Sequence, residues 1–381
     1  MMSKVSLLAC DEYDLRRLKK VLAESVQNLG GWEPYIQPGE RVFLKVNLVM
    51  NKEPEYAATT HPTFVQALGE LLTEYGAEVI IGDSPGGLFN EEALKRIYKG
   101  TGIQAAAEGC GARLNWNTAS HEVKNPQGKL LKQLTQTAML ADADKVISVS
   151  KLKTHGMMTF TGAVKNQFGT VPGTKKAEYH FRMPATADFA DALIDICLAA
   201  HPVLCFMDGI LAMEGNGPTG GTPRQIGAVL ASASPFDLDI VAASLIGLEQ
   251  EQVPTLHQAY LRGLGLASAA EAKVVGENPE KFKVTDFQMP DHIDPRLMSR
   301  LGPLGQALSG ILRPKVRFSR ERCIGCQACY RNCPAHAITM KDHFPTVNYK
   351  ECIRCYCCQE LCPCNAISVH ESGIMKLANR L

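Results

Sequence analysis

Two cysteine runs near the C-terminus constrain this chain more than any other part of its sequence. Each has the spacing C-x2-C-x2-C-x3-C-P, and the run that begins at Cys323 is repeated from Cys352, 29 positions later. In bacterial ferredoxins this spacing holds two 4Fe-4S clusters, because the first three cysteines of a run bind one cluster and the fourth binds the other. The sequence therefore predicts two clusters with crossed ligation. The predicted ligands are Cys323, Cys326, Cys329 and Cys362 for one cluster, and Cys352, Cys355, Cys358 and Cys333 for the other.

The repeat extends beyond the cysteines, since Ala337-Ile338 recurs as Ala366-Ile367, which indicates a duplicated half-ferredoxin. Structural zinc sites also use paired cysteines, but a zinc site does not require the third cysteine of a C-x2-C-x2-C run or a cysteine followed by proline. Two further cysteines of this segment, Cys357 and Cys364, are expected to be small apolar fillers. The alternatives for them are an additional ligand or a residue that tunes a cluster potential.

The composition is that of an ordinary globular protein. At 381 residues, with 45% hydrophobic and 21% charged residues, the chain is long enough for two domains. Its 40 basic and 39 acidic residues give a formal net charge of +1, so no overall field attracts nucleic acid or anionic lipid. The most apolar stretch, 192–207, is interrupted by Asp195, His201 and Pro202, which argues against a membrane span. No signal peptide is recognisable and iron-sulfur ligands suit a reducing compartment, so we expect a cytoplasmic protein of anaerobic metabolism.

From residue 3 to about 285, short runs rich in β-branched residues alternate with amphipathic helical patterns. Such alternation predicts parallel strand pairing with covered faces. We therefore expect an α/β domain with a layered, mostly parallel sheet and helices on both faces. The predicted strands are 5–9, 42–49, 78–82, 145–150, 203–207 and 226–231, and the predicted helices are 14–29, 62–75, 91–99, 186–199 and 238–247.

The chain is predicted to divide into three segments. Residues 1–288 form the α/β domain, which holds the substrate or cofactor, and residues 316–381 form a small α+β ferredoxin domain with two clusters. Between them, residues 289–315 are predicted to be a linker, because the alternation stops there and prolines and glycines accumulate.

Polar residues follow four of the predicted strands. In an open α/β sheet, ligands bind at the carboxyl ends of the strands, so these residues are expected to meet at one rim of the sheet. The residues in question form four groups: Lys45 and Asn47; Asp83 and Ser84; Lys151, Lys153 and His155, with Lys165, Asn166 and His180 further along the chain; and Asp208, followed by Glu214.

Four runs along this rim have a distinctive sequence: VSKLKTH at 149–155, TGAVKNQFG at 161–169, DGI at 208–210 and EGNGP at 214–218. They resemble the domain-of-unknown-function family 362, in the branch that is fused to a C-terminal ferredoxin. The resemblance covers about residues 40–250 and implies an iron-sulfur protein of the same architecture, but no settled reaction. The chain departs from the family pattern at Ser234-Pro235, where an acidic residue is more typical, while Asp239 keeps the later acidic position.

Several lysines near one mouth favour an anionic ligand, because like charges that are partly desolvated require a counter-charge. The alternative is that some of these lysines are solvated at strand ends. His155, close to Lys153, suits a general acid or base, although an ordinary loop histidine is the other interpretation. The predicted catalytic residues are Lys153, His155 and Lys165, and the predicted cofactor-binding residues are Lys45, Asn47, Asp83, Ser84, Asn166, His180 and Glu214.

The sequence lacks the motifs that are typical of several reaction classes. It contains no Walker A run, no complete glycine motif for dinucleotides, no G-x-S-x-G, no H-E-x-x-H and no basic-aromatic groove for nucleic acid. We therefore expect an iron-sulfur oxidoreductase that takes low-potential electrons from a redox partner protein and passes them to an anionic substrate or cofactor.

A flavin would convert single electrons into a two-electron reduction, although no flavin fingerprint is present. The alternative function is a non-catalytic electron carrier, or a maturation factor that reactivates a partner metalloenzyme. The substrate, the direction of electron flow and the oligomeric state stay open.

Overall fold

Residues 3–290 and 314–370 are described by the computed structural model of this chain. We refer to the first range as the α/β domain and to the second as the ferredoxin module. The predicted linker, 289–315, lies almost wholly outside the described residues, so it stays a prediction, as do the domain boundaries at 288 and 316. No helix in the two described ranges is long and apolar enough to cross a membrane.

The secondary structure of the two described ranges alternates between strands and helices over most of the α/β domain. The strands are β1 (Lys4–Ala9), β2 (Arg41–Lys45), β3 (Glu78–Gly82), β4 (Arg113–Leu114), β5 (Ser120–Lys124), β6 (Gln133–Thr137), β7 (Lys145–His155), β8 (Thr159–Thr161), β9 (Leu204–Glu214), β10 (Thr222–Ser232), β11 (Lys273–Gly276), β12 (Lys315–Phe318), β13 (Ile338–Lys341), β14 (Phe344–Val347) and β15 (Ile367–His370). The α-helices are α1 (Leu15–Asn28), α2 (Pro62–Tyr75), α3 (Glu91–Gly100), α4 (Ile103–Cys110), α5 (Ala163–Asn166), α6 (Lys175–Arg182), α7 (Thr186–Ala200), α8 (Pro235–Leu245), α9 (Pro254–Leu261), α10 (Ala328–Arg331) and α11 (Cys357–Glu360).

Several helices begin where the sequence supplies a capping side chain. Asp14 accepts a hydrogen bond from a backbone N–H in the first turn of α1, and Asn90 and Ser234 do the same for α3 and α8. At α2 the ring of His61 takes this place, and Pro62 occupies the first helical position. These side chains satisfy backbone donors that have no partner within the helix, which fixes each starting point.

One sheet carries the α/β domain, with the strand order β11-β1-β10-β9-β7-β2-β3-β4 and with β8 attached to β7. Pairing is parallel from β9 through β7, β2 and β3 to β4, whereas β10 is antiparallel to both β1 and β9. The sheet is therefore mixed and mostly parallel, and the predicted fold class is confirmed. The antiparallel β10 was not predicted; it arises because β9 and β10 are joined directly by residues 215–221 and not by a crossover helix.

Helices cover both faces of the sheet. Successive residues of β9 enter different cores: Phe206 packs with apolar residues of α1 to α4, whereas Cys205 and Met207 pack with residues of α8. Alternation of side chains along a strand produces this split. Because both faces are buried, the rim at the carboxyl ends of the strands is the part of the sheet that is left to bind a ligand.

Strand β7 is longer than the sequence indicated. The predicted strand ended at residue 150, but β7 continues to His155 because β8 pairs with its second half, with Lys153 opposite Thr161 and His155 opposite Thr159. Lysine is depleted in strands, so no local sequence pattern indicated this extension. As a result, Lys153 and His155 are held by a sheet and not by a loop.

The ferredoxin module shows the duplication in its backbone as well as in its cysteines. Helices α10 and α11 are related by the same offset of 29 residues. So are pairs of residues in the left-handed conformation, including Gln327 and Tyr356, with φ of 64° and 62°, and His336 and Asn365, both with φ of 50°. Strand β12 pairs with β15, and β13 pairs with β14. The two cysteine runs therefore belong to two copies of one structural unit.

Candidate functional site

Each predicted group of four cysteines lines a cavity of its own in the ferredoxin module. The first cavity, of about 340 Å³, is lined by what we call the first cysteine set, Cys323, Cys326, Cys329 and Cys362. The second, of about 370 Å³, is lined by the second cysteine set, Cys333, Cys352, Cys355 and Cys358. In each cavity, three thiols from one run meet the fourth thiol of the other run. This grouping fits two 4Fe-4S clusters with the crossed ligation that we propose.

Backbone N–H groups point at the fourth cysteine of each run. Ala337 donates to the Sγ of Cys333 at 3.3 Å, and Ala366 donates to the Sγ of Cys362 at 3.2 Å. Such hydrogen bonds to sulfur stabilise thiolate ligands and tune cluster potentials. In 3–290 and 314–370, no three His, Cys, Asp or Glu side chains are grouped closely enough to hold a single metal ion.

A third cavity, of about 780 Å³, lies between the carboxyl ends of the sheet strands and the ferredoxin module. We call it the central cavity. The α/β domain lines it with polar side chains that include Asn47, Asp83, Ser84, Lys153, Thr161, Lys165, Asn166, Lys176 and His180. The ferredoxin module contributes Asn332, Cys357, Glu360 and Leu361.

Lys45, the last residue of β2, is fully buried behind the wall of this cavity. Its ammonium forms an ion pair of 2.7 Å with Asp83, and it donates to Asn166 Oδ1 at 3.3 Å. Burial lowers the pKa of Lys45, and the charge of Asp83 opposes this effect. Gly169 packs against the pair so closely that a Cβ there would lie 1.9 Å from Asp83 Oδ1. The charge of Lys45 is thus already compensated by the protein.

Lys153 reaches the central cavity from the second half of β7. Its amine donates to Asn47 Oδ1 at 2.7 Å and to the carbonyl of Ala58. Burial and the positive charge of Lys165 lower the pKa of Lys153 well below its usual value. An anion in the cavity opposes both effects, since its charge favours the ammonium form. Lys153 is therefore a group whose protonation responds to an anionic ligand.

Lys165 lies on the short helix α5, whose start is held by Asp239 of α8. The backbone N–H groups of Ala163 and Val164 donate to the carboxylate of Asp239 at 2.6 and 3.0 Å. Gly162 permits this approach, because a Cβ at that position would lie 2.1 Å from Asp239 Oδ1. Burial lowers the pKa of Lys165. The later acidic position noted in the sequence thus positions the turn that carries Lys165.

Lys176 fixes the loop that follows β3. Its ammonium donates to the carbonyl and the hydroxyl of Ser84 at 2.8 and 3.0 Å, to the carbonyl of Pro85 at 3.3 Å and to that of Val171 at 2.7 Å. Burial lowers the pKa of Lys176 to about 7, while its oxygen acceptors favour the charged form. Lys176 therefore shapes the wall of the cavity, and its own hydrogen bonds are already made.

Three polar groups of the cavity have no hydrogen-bond partner within the described part of the chain. Thr161 Oγ1 and His180 Nδ1 are unpaired, although each residue is only 3% exposed. The ammonium of Lys165 faces the ring of Phe168, 5.7 Å from its centroid. The ring of His180 stacks on Phe189 at 4.2 Å, and burial lowers its pKa to about 3, so it is neutral. Unpaired buried polar groups are rare, and here they mark where a ligand can supply the missing hydrogen bonds.

Glu360 is the carboxylate that the ferredoxin module brings to the cavity. It is bound by His155, whose Nδ1 accepts the backbone N–H groups of Met157 and Met158 at 3.1 and 3.2 Å. The proton of the neutral ring is therefore on Nε2, which lies 3.0 Å from Glu360 Oε1. Burial lowers the pKa of His155 to about 4. Burial alone raises the pKa of Glu360, but His155 and Lys165 outweigh it and lower that pKa to about 2.

Most of the polar residues with which the α/β domain lines this cavity were predicted from the sequence. They are Asn47, Asp83, Ser84, Lys153, Lys165, Asn166 and His180. Lys45 and His155 instead lie behind its wall, where they hold Asp83 and Glu360. Since both ring nitrogens of His155 are occupied in these contacts, its geometry favours a positioning role over the predicted proton transfer. Glu214 lies outside the cavity, and its carboxylate accepts the backbone N–H of Gln288 at 3.1 Å.

Lys151 also lies apart from the central cavity. Its ammonium pairs with Asp208 at 2.7 Å and donates to the hydroxyl of Tyr13 at 3.0 Å. The register between β7 and β9 shifts between Lys151 and Lys153, so the two side chains reach different surroundings. The lysines that the sequence grouped at one rim are therefore divided between two places.

The residues that the ferredoxin module contributes to the central cavity were not predicted. The sequence difference between the two repeats is the signal that could have identified them. Cys357 stands where the first repeat has Ala328, and Glu360 stands where it has Arg331. Where two otherwise equivalent repeats differ in sequence, the difference indicates residues that have a function in only one of them. Here both differences lie on α11, the helix that meets the α/β domain.

Comparison with known proteins agrees with this architecture. The family described as "Domain of unknown function (DUF362)" matches residues 42–244, which is more than half of the chain. The chain therefore belongs to the DUF362 family. A 4Fe-4S dicluster domain matches residues 315–363. This DUF362 protein thus has the ferredoxin-fused architecture that the sequence resemblance implied, whereas the number of clusters stays a prediction.

A relative of this DUF362 protein is the thylakoid-associated protein sll1697 of Synechocystis sp. It is 33% identical over 301 residues, which cover 77% of this chain and 90% of the relative. Among solved structures, the lactate racemase apoprotein from Thermoanaerobacterium thermosaccharolyticum is similar with a TM-score of 0.38 and 9% identity. That match covers 60% of this chain and 54% of the racemase, so this chain spans about half of it.

Proposed function

We propose that this DUF362 protein is an iron-sulfur oxidoreductase, in which an anionic substrate or cofactor binds in the central cavity and receives low-potential electrons from the ferredoxin module. One observation carries the proposal. Lys153 and Lys165 of the α/β domain share this cavity with Cys357, whose chain neighbours include Cys355 and Cys358 of the second cysteine set. A ligand bound by the lysines is thereby close to residues that adjoin a proposed cluster.

The charge of the cavity supports an anion as its ligand. Lys45 is compensated by Asp83 and Lys176 by loop oxygens, whereas Lys165 has no hydrogen-bond acceptor among the described residues. Glu360 offsets part of the remaining positive charge. Lysine suits phosphate or carboxylate groups as a point charge. Thr161 and His180 add neutral polar groups that can orient the bound molecule.

The residues around the ligand divide into two roles in this proposal. Lys153 and Lys165 bind and polarise the anion, and Lys153, whose pKa burial lowers well below its usual value, can donate or accept a proton there. His155 and Asp239 are positioning residues that hold Glu360 and the turn of Lys165. The clusters, when bound, supply one-electron transfers at low potential. A flavin stays a prediction, since no residue of the cavity distinguishes it from another anionic ligand of similar size.

The proposal is tested by measuring which anions bind to the protein with its clusters assembled under anaerobic conditions. Inorganic phosphate, succinate and flavin mononucleotide are titrated by calorimetry at constant ionic strength, and organic cofactors are extracted and identified from the purified protein. Lys153→Met and Lys165→Met should each weaken binding of the best probe by about 1.5 to 3 kcal/mol, or roughly ten- to a hundredfold. Lys20→Met, an exposed residue of α1, is the matched control.

The outcome separates the two functions that the sequence left open. Loss of binding in both cavity variants, with unchanged iron content, supports the oxidoreductase. If both variants bind every probe as tightly as the wild type, the cavity is not the site. In that case the non-catalytic electron carrier or maturation factor becomes the better interpretation.

A further inference from the structure

The two repeats of the ferredoxin module have diverged in charge at equivalent positions. Arg322 and Arg331 of the first repeat correspond to Glu351 and Glu360 of the second, at the offset of 29 residues. Arg320 corresponds to Tyr349. The backbone of the two repeats remains equivalent at α10 and α11. The charge difference therefore reflects what each repeat faces and not a difference in fold.

The second repeat faces the α/β domain. The side chain of Gln359 donates to the carbonyl of Asn216 at 2.8 Å, and Glu360 meets His155 as described above. Thr219 donates to the carbonyl of Glu360 at 3.0 Å. This repeat thus uses the surface of α11 to complete the central cavity.

Among the residues that the structure describes, the corresponding surface of the first repeat is exposed. Tyr330, the counterpart of buried Gln359, is 47% exposed, and Ile324 is 69% exposed. Cys326 is the exposed cysteine of the first cysteine set, whereas its counterpart Cys355 is buried. An apolar patch beside an exposed ligand cysteine brings a docked partner close to the first cysteine set.

Three arginines lie within a few residues of this patch along the chain. Arg320, Arg322 and Arg331 are all exposed, and Arg331 donates to Gln327, next to Cys326. In the ferredoxin module as a whole, the basic residues are Lys315, Arg317, Arg320, Arg322, Arg331, Lys341, Lys350 and Arg354, and the acidic residues are Glu321, Asp342, Glu351 and Glu360. Because Glu360 is turned into the central cavity, basic side chains outnumber acidic ones on the outer surface of the module, on a chain with a net charge of only +1.

We propose that this exposed face, formed by Ile324, Cys326 and Tyr330 with Arg320, Arg322 and Arg331, is the docking surface for an acidic one-electron carrier protein. The arginines outnumber the one exposed carboxylate among them, Glu321. Apolar side chains with mostly basic neighbours are suited to a transient complex, because charge steers the encounter and a small contact area permits rapid release. In the step that follows docking, the reduced carrier loses one electron and the centre at the first cysteine set gains it. No proton or other group is transferred.

This inference rests on assembled clusters but not on a ligand in the central cavity, so the two proposals can fail separately. The probe is a plant-type 2Fe-2S ferredoxin with a strongly negative net charge. Complex formation between the two oxidised proteins is measured by calorimetry, and electron transfer from the reduced ferredoxin is measured by stopped-flow absorbance. Both are repeated over a series of salt concentrations. Photoreduced deazaflavin serves as a small reductant that requires no protein docking.

We expect binding and electron transfer from ferredoxin to weaken steadily as salt is raised. Arg322→Glu and Arg331→Glu should each reduce the affinity and the second-order rate by about three- to tenfold at low salt, and should flatten the salt dependence. Lys350→Glu, which makes the same charge change beside the second cysteine set, should have a much smaller effect. Reduction by deazaflavin and the iron content should be unchanged in all variants, which shows that folding and cluster assembly are intact.

Three results overturn the proposal. One is an affinity for ferredoxin that does not depend on salt, or that rises with it. Another is an equal effect of Lys350→Glu and the two arginine variants, which would point to net charge and not to this face. The third is unaltered ferredoxin binding in both arginine variants with their clusters assembled.

Discussion

Nε2 of His155 in the sheet lies 3.0 Å from Oε1 of Glu360 in the ferredoxin module. Because Nδ1 of the histidine accepts two backbone N–H groups, the proton of the neutral ring is on Nε2, which faces the carboxylate. The contact connects the end of β7 to α11, which also carries Cys357. The same helix therefore borders the central cavity on one side and the second cysteine set on the other. A substitution in the central cavity is therefore expected to perturb the second cysteine set, and the reverse.

The pairing of His155 with Glu360 can be tested with two substitutions, each of which replaces only one of the two ring nitrogens with a polar group in a similar place. His155→Asn retains an acceptor near Nδ1 but leaves the buried carboxylate of Glu360 without its donor, which should cost about 1 to 3 kcal/mol. Hydrogen exchange of residues 357–361 should then accelerate by about tenfold or more. His155→Gln retains a donor near Nε2, so its effect should be largely confined to residues 156–158. Equal exchange of 357–361 in both variants would contradict the positioning role.

Crossed ligation predicts which cluster each cysteine affects. The protein with its clusters should contain about eight irons and eight sulfides. Cys333→Ala should impair the cluster of Cys352, Cys355 and Cys358, because Cys333 lines the same cavity as these three. Electron paramagnetic resonance of the reduced protein distinguishes the two clusters. Damage to the other cluster would mean that each cysteine run binds a cluster of its own.

Cys357→Ser should leave the iron count unchanged, since Cys357 lines the central cavity and neither cysteine cavity.

Close packing behind the cavity makes Gly169 sensitive to substitution. In Gly169→Ala the new methyl group would lie 1.9 Å from Asp83 Oδ1 and 2.6 Å from Lys45 Nζ, so the buried ion pair must move. Overpacking of this kind should lower the free energy of unfolding by about 1 to 3 kcal/mol. Gly156→Ala is the control, because its nearest contact would be an ordinary 3.5 Å to Tyr356. Similar urea denaturation midpoints for the two variants would show that the ion pair is not tightly held.

The buried ring of His180 gives the protein a specific sensitivity to acid. Its pKa is about 3 in the folded protein, because burial opposes its charge, and near 6.5 when unfolded. The unfolded chain therefore binds the extra proton, and stability is lost as the pH falls from 6.5 toward 3. Between pH 7.5 and 5.5 the wild type should lose about 1.4 kcal/mol more than His180→Gln, as measured by urea unfolding. The exposed His121→Gln should follow the wild type; if His180→Gln does so too, the ring is not buried in its neutral form.

Local sequence information was sufficient for much of this protein. The alternation of β-branched runs with amphipathic patterns located the main helices and strands, and the fold class followed from their order. The carboxyl ends of β2, β3 and β7 delivered Asn47, Asp83 and Lys153 to one cavity, as the geometry of an open sheet requires. The spacing of the cysteines, repeated after 29 residues, was enough to identify the ferredoxin module and the grouping of its thiols.

Tertiary structure decided which of these residues share a site. The shift in register between β7 and β9 separates Lys151 from Lys153, and pairing with β8 turns an expected loop into a strand. Such pairings depend on segments that are distant in sequence, so no local pattern records them. The sequence alone likewise showed Glu360 as one acidic residue of a ferredoxin repeat. Only the packing of α11 against the sheet makes it the carboxylate of the central cavity, because burial beside His155 and Lys165 is a property of the assembled fold.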